Sequence, residues 1–130
     1  MVLDNVLLDA LLKKASESGR LRVAHDLRTS CDDNSQRMLN ALLPGTVVPI
    51  HRHPATAETL MIVRGSLVEV FYDEEGRETK RFVLNAANGV YGVQIPAGQW
   101  HSVIVTEPCV ILEIKDGKYV PVSPDDVMDR

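Results

Sequence analysis

Four histidines occur in the chain, and three of them fall in two short clusters. The first cluster reads Gly45-x5-His51-x-His53-x4-Glu58-x6-Gly65, and the second reads Pro96-Ala97-Gly98-Gln99-Trp100-His101. Imidazole and carboxylate are the side chains that hold a divalent ion without sulfur. On an extended strand, side chains two apart share a face, so His51 and His53 project together. Glu58 lies an odd number of residues beyond His53, which would turn it to the other face of an unbroken strand. The segment Pro54-Ala55-Thr56-Ala57 supplies the break that brings its carboxylate back. In the second cluster a Pro-Gly turn launches a strand, with His101 at its beginning and Val103 and Val105 on the same face. The pattern predicts one divalent ion held by His51, His53, Glu58 and His101. Fe(II), Mn(II), Ni(II), Co(II) and Zn(II) all suit this nitrogen/oxygen set. A divalent ion on one carboxylate leaves net positive charge, and four donors leave open positions on a metal that prefers six. Such a centre can bind and polarise an anionic or carbonyl-bearing small molecule.

Other residues attract weaker readings. Arg37 and Lys115 stand among mostly apolar neighbours. In one reading either or both reach the cavity and bind a carboxylate or phosphate on a ligand. In the other they pair with Glu113 or another carboxylate at the rim. His25 lies outside both clusters and reads as structural. Arg52 should point away from its flanking histidines by strand parity, in a structural or interfacial role. Trp100 and Tyr119 read as packing residues that could cover a barrel mouth. No catalytic residue stands out. The nearest candidates for a general base are His25 or a carboxylate in the cavity, and neither is convincing from sequence.

The elements that must position these residues are short. Leu7, Leu8, Leu11, Leu12 and Ala15 recur at helical spacing and predict a helix over 4–18, capped by Asp4 or Asn5 and stopped at Gly19. Lys13 and Lys14 sit late in it, at its negative end. Beyond Gly19, Val-, Ile- and Leu-rich segments alternate with Pro, Gly, Asn and Asp clusters. Strands are predicted near 20–25, 36–43, 46–52, 58–64, 66–72, 79–84, 92–95, 101–106 and 109–115. Turns fall at Pro44-Gly45, Asp73-Glu74-Glu75-Gly76 and Pro96-Ala97-Gly98. The division expected is a helix over 1–19 packed on a barrel over 20–120, then a polar tail over 121–130.

At 130 residues, with 45% hydrophobic and 25% charged residues, the chain suits one globular domain. Its net charge of −4 and lack of a basic patch argue against a nucleic-acid partner. No stretch reaches the ~20 apolar residues of a membrane helix, and the acidic Asp4 and Asp9 make the N-terminus a poor signal peptide. A cytoplasmic location is expected. Cys31 and Cys109, far apart, read as unrelated thiols. Open barrel edges favour a homodimer.

The two clusters together resemble the two motifs of the cupin superfamily. The first agrees at every fixed position, and the second at Pro96, Gly98 and His101, departing at Val90 and Val105, which shape turns and packing. The resemblance implies an all-β fold, a single cupin barrel of the double-stranded β-helix, jelly-roll type, here with an N-terminal helix. More closely, the chain resembles the WbuC family of cupin-fold metalloproteins. The residues that carry this are Arg20-x-Arg22, His25, Gln36-Arg37, His51-Arg52-His53-Pro54, Glu58, Gly65, Phe71-x-Asp73-x2-Gly76, Pro96-x-Gly98-x-Trp100-His101 and Glu113-x-Lys115-x-Gly117-x-Tyr119. That family's tryptophan- and proline-containing tail is absent. The resemblance implies a metal-binding barrel found among bacterial surface-polysaccharide genes.

Three functions remain open from sequence. One is a metal-dependent enzyme on a sugar or sugar nucleotide, acting as an isomerase or epimerase, with an Fe(II)-dependent dioxygenase as its redox variant. A second is a non-catalytic, metal-anchored binding module, because four ligands can close a tetrahedral zinc site. The third is an interaction protein that merely presents a surface.

Overall fold

The computed structural model describes residues 1–128. A helix, α1 (Asn5–Glu17), precedes eight strands: β1 (Arg22–Asp26), β2 (Ser35–Leu42), β3 (Glu58–Arg64), β4 (Ser66–Tyr72), β5 (Glu78–Asn85), β6 (Gly92–Ile95), β7 (Trp100–Ile104) and β8 (Cys109–Asp116). Two antiparallel sheets form, one in the order β1-β2-β8-β3-β6 and the other β5-β4-β7. This is the all-β, jelly-roll barrel expected from the sequence. Among the described residues no helix is long and apolar enough to cross a membrane.

The helix forms where its cap and apolar stripe require. Asp4 Oδ1 accepts the Leu7 N–H at 3.0 Å, satisfying one of the unpaired donors of the first turn. Leu8, Leu11 and Ala15 are buried against Leu39, Ala41 and Val110, so α1 closes the outer face of β2 and β8. The stop differs from expectation. Ser18 leaves the helix in extended conformation while bonding back to Ala15, so no left-handed glycine is needed at Gly19. Leu21 takes the left-handed conformation instead, at φ 57°.

A second cluster, including Leu42, Leu60, Leu67, Phe71, Leu84, Ile95 and Ile111, fills the space between the sheets. Asp73 holds the β4–β5 turn by accepting the N–H groups of Glu75 and Arg77 at 3.0 and 2.9 Å. Gly65, between β3 and β4, has φ 76°, and a Cβ there would lie 2.4 Å from the Pro108 carbonyl oxygen. Only glycine fits both constraints. Cys31 and Cys109 are unbonded, one exposed and one buried. Burial, then the charge of Glu107, pushes the Cys109 thiol up to about 12.

Two further expectations need correction. The strand predicted over 46–52 does not form. Pro49 lacks an N–H for a ladder, and the segment is tied instead by side chains: Ser102 Oγ donates to the Val48 carbonyl at 2.6 Å and Arg22 to that of Val47 at 2.8 Å. Pairing appears only at His51, which bridges His101 on one side and Val127 on the other. The tail is likewise more than a polar extension. Its short 3-10 turn, Pro124–Asp126, places the Asp126 carbonyl to accept the Arg52 N–H at 3.0 Å, and Met128 N–H donates to Ile50 at 2.8 Å.

Candidate metal centre

The two histidine clusters meet at one end of the barrel. His51 and His101 exchange backbone hydrogen bonds at 3.0 and 2.9 Å, which sets their side chains beside each other. The Gly98 N–H donates to the His53 carbonyl at 2.8 Å, pinning the second turn to the first cluster. One ring nitrogen from each of His51, His53 and His101 lies within 4.8 Å of the others, a group that could hold a metal ion. Glu58, at the start of β3, sits against two of the three: its oxygens lie 3.8 Å from His53 Nε2 and 3.6 Å from His101 Nε2. The three imidazoles are thus the tight group, and Glu58 sits against two of them.

The hydrogen bonds on the far side of the rings fix what they can do. His51 Nδ1 lies 2.9 Å from the Pro49 carbonyl and His101 Nδ1 2.9 Å from the Gln99 carbonyl. A carbonyl only accepts, so each Nδ1 carries the proton and each Nε2 keeps a lone pair. This backing by carbonyls is the arrangement usual behind metal-bound histidines. Burial, then the neighbouring His101, lowers His51 to about 4. Burial, then Lys115, lowers His53 to about 4. Both are therefore neutral near pH 7, as a ligand must be. Burial raises Glu58, but the neighbouring His101, His53 and Lys115 outweigh it and hold the carboxyl below its usual range. The donor set fits a divalent ion.

Of the two other cations singled out in the sequence, one faces the cavity. Lys115 is 8% exposed, and its Nζ lies 3.2 Å from His53 Nδ1. Arg37 does not line the cavity. On β2, Gln36, Met38 and Asn40 line it, whereas Arg37 has the opposite parity and binds Asp33 at 2.8 Å. Arg37 thus follows the rim ion-pair reading and is no cavity residue. His25 pairs with Leu39 in register and lies outside the cavity lining. Arg52 points away from its histidine neighbours, its guanidinium 2.8 Å from Asp126 and 4.5 Å above the Trp100 ring. Trp100 is buried and donates to Glu74 at 3.1 Å. Tyr119 stands at the cavity mouth, 49% exposed.

The cavity above the imidazoles measures about 350 Å³. Several lining residues escaped the sequence reading. Arg20 and Arg22 add cations, Gln36 and Asn40 add amides, and Glu69 and Glu113 add carboxyls. Glu69 is fully buried, and neither of its oxygens has a hydrogen-bond partner. Burial, then the charges of Glu58 and Glu113, pushes it up to about 9. Glu113 is pushed up to about 8 by burial and then by Glu58, against the pull of Lys115. The sequence did carry a signal, because Glu69 shares its parity with Leu67 and Phe71, so a carboxyl sits on the inward face of an apolar strand.

A protein-family model described as a domain of unknown function (DUF6016) matches residues 3–84. The chain belongs to the DUF6016 family. No curated protein matches it. Among solved structures, this DUF6016 chain is similar to the capsular polysaccharide assembling protein CapF from Staphylococcus aureus, with a TM-score of 0.67 and 19% identity over 85% of this chain and 32% of that one. It is also similar to a cupin 2 domain-containing protein from Halorhodospira halophila, with a TM-score of 0.61 and 21% identity over 80% of this chain and 70% of that one. Oxalate decarboxylase from Bacillus subtilis, a protein with Mn(II) centres, gives a TM-score of 0.61 and 22% identity over 80% of this chain and 28% of that one. The chain spans about a third or less of the CapF and oxalate decarboxylase chains. These likenesses show the fold, which is the cupin barrel.

Proposed function

We propose that this chain is a metal-binding cupin protein in which His51, His53, His101 and Glu58 hold one divalent ion, and that its cavity takes an anionic or oxygen-rich small molecule. The observation that carries the reading is the pair of Nδ1–H bonds to backbone carbonyls, which leave the Nε2 lone pairs of His51 and His101 facing one space. When bound, the ion supplies a Lewis acid that polarises a ligand oxygen. The chain's own residues supply the rest. Lys115, Arg22 and Arg20 line the same cavity and favour a negatively charged ligand. Glu113 is a carboxyl raised to about 8, the range where a proton can be given or taken near neutral pH.

The activity these features support best is metal-dependent isomerisation or epimerisation of a sugar or sugar nucleotide. The resemblance to the WbuC family and the likeness to a capsular polysaccharide assembling protein support a place in bacterial surface-polysaccharide metabolism. The barrel over 20–120, with the helix over 1–19 on its outer face and the described part of the 121–130 tail, residues 121–128, at its metal end, would then act as one unit. A second reading is a non-catalytic, metal-anchored binding module, favoured by four donors that suffice to close a tetrahedral site.

Metal analysis of protein expressed without added metal tests the centre. The wild type should carry about one ion per chain, and Glu58→Ala and His51→Ala should each lose most of it while circular dichroism stays unchanged. Unchanged metal content in both variants, or a metal-free wild type, refutes the site. A coordination shell that holds water or a buffer anion favours the enzyme; closed four-coordinate zinc favours the binding module.

A further inference from the structure

Two buried polar side chains on opposite walls of the cavity have atoms with no partner. Gln36 Oε1 comes from β2 in the larger sheet, and Glu69 Oε1 and Oε2 come from β4 in the smaller one. Gln36 is 4% exposed and Glu69 0%. Buried polar atoms in native proteins nearly always find a partner, so unpartnered atoms on two residues that line one cavity call for an occupant. Both residues line the space that His51, His53, Glu58 and His101 line, but neither belongs to that group.

The chemistry of the unpartnered atoms narrows the occupant. Gln36 Oε1 accepts only, so it needs a donor from the ligand. Glu69, fully buried, offers one O–H donor while it keeps its proton and accepts at its other oxygen. A carboxylate or phosphate cannot donate to Gln36, and an ammonium cannot accept from Glu69. A hydroxyl does both. The cations Lys115 and Arg22, together with the imidazole group, serve an anionic end instead. We infer that Gln36 and Glu69 form a hydroxyl-reading subsite, so that the cavity takes a polyhydroxylated acid whose oxygen-chelating head lies at the histidine group and whose distal hydroxyls lie between the two sheets. This rests on the metal-binding reading above and assigns the part of the ligand that reading leaves open. A cavity of about 350 Å³ lies within the range that holds such molecules.

The test is calorimetric titration of the metal-loaded protein with D-gluconate and with 2-hydroxyhexanoate. The two acids share carboxylate, α-hydroxyl and chain length, and differ in the hydroxyls further along. Gluconate should bind the wild type at least about tenfold more tightly. That gap should close to within about threefold in Gln36→Leu and Glu69→Leu, with metal content and 2-hydroxyhexanoate affinity unchanged. Glu69→Gln, which keeps a donor and an acceptor in place, should restore most of it. Equal binding of the two acids by the wild type overturns the inference without reference to any variant. So do the absence of gluconate binding, a preference that survives in both leucine variants, and a failure of Glu69→Gln to restore it. Metal analysis of each sample separates the two readings. A wild type without metal refutes the metal centre, and this inference with it; a metal-loaded wild type without hydroxyl preference refutes the subsite alone.

Discussion

Replacing Glu69 by Gln should change how the stability of the metal-free protein depends on pH. Glu69 is fully buried without a partner, and burial followed by the charges of Glu58 and Glu113 pushes it up to about 9, against an ordinary value of 4.5. The native state therefore holds this proton where the unfolded chain releases it. The stability it supports is complete below pH 4.5 and is lost as pH rises through 9, at about 1.4 kcal/mol per pH unit in that window. Glu113, pushed up to about 8, acts in the same direction. His51 and His53, each lowered to about 4, act in the opposite direction, because the unfolded chain takes up their protons first. Their effect ends near pH 6.5, the ordinary histidine value. Between about pH 4.5 and 6.5 the two carboxyls and two imidazoles nearly cancel, giving a flat profile. From pH 6.5 to 8 only the carboxyls act, and the wild type should lose about 4 kcal/mol against about 2 kcal/mol for Glu69→Gln. Urea unfolding in EDTA at half-unit pH steps, followed by the fluorescence of the buried Trp100, measures both. Parallel stability profiles for the two proteins from pH 6.5 to 8 would show that Glu69 is ionised in the native state and that the reasoning is wrong.

Three other outcomes are expected. Lys115→Met removes the cation 3.2 Å from His53 and should raise the pH at which that imidazole titrates in the metal-free protein, read by NMR; an unmoved titration would place the depression in burial alone. Asp126→Ala breaks a partly buried pair with Arg52 and should cost about 1 kcal/mol, with faster hydrogen exchange at the Arg52 and Met128 amides. Gly65→Ala forces a Cβ into the Pro108 carbonyl at positive φ and should destabilise by more than about 2 kcal/mol in thermal unfolding, where a neutral effect would contradict the β3–β4 turn.

The histidine group was legible because His-x-His parity and a Pro-Gly turn are local facts, and local geometry places three imidazoles with few alternatives. Eight of the predicted strands lie close to where Val, Ile and Leu runs put them. What escaped did so for physical reasons. β2 is covered on one face by α1 and opens on the other into the cavity, so each parity mixes polar and apolar residues, and Arg37 could not be told from Gln36 by its neighbours. The segment around Pro49 reads as a strand by composition but is held by side-chain hydrogen bonds that no periodicity encodes. Glu69 interrupts an otherwise apolar strand, and alternation alone predicts which face it takes but not that it stays buried without a partner. The Asp126 clasp on Arg52 joins residues far apart in the chain, and no window of sequence contains both.

The double pairing of His51 also sets an order of events during synthesis. Its backbone is held on one side by His101 and on the other by Val127, both contributed by later parts of the chain. As the chain emerges from the ribosome, the first histidine cluster is complete long before either support exists. α1 itself packs partly on the late strand β8, and the end that carries the histidines must wait for β7 and the residues around Asp126. An ion at the proposed centre would therefore meet a finished barrel rather than template an unfinished one, and premature capture by His51 and His53 alone would be weak and reversible.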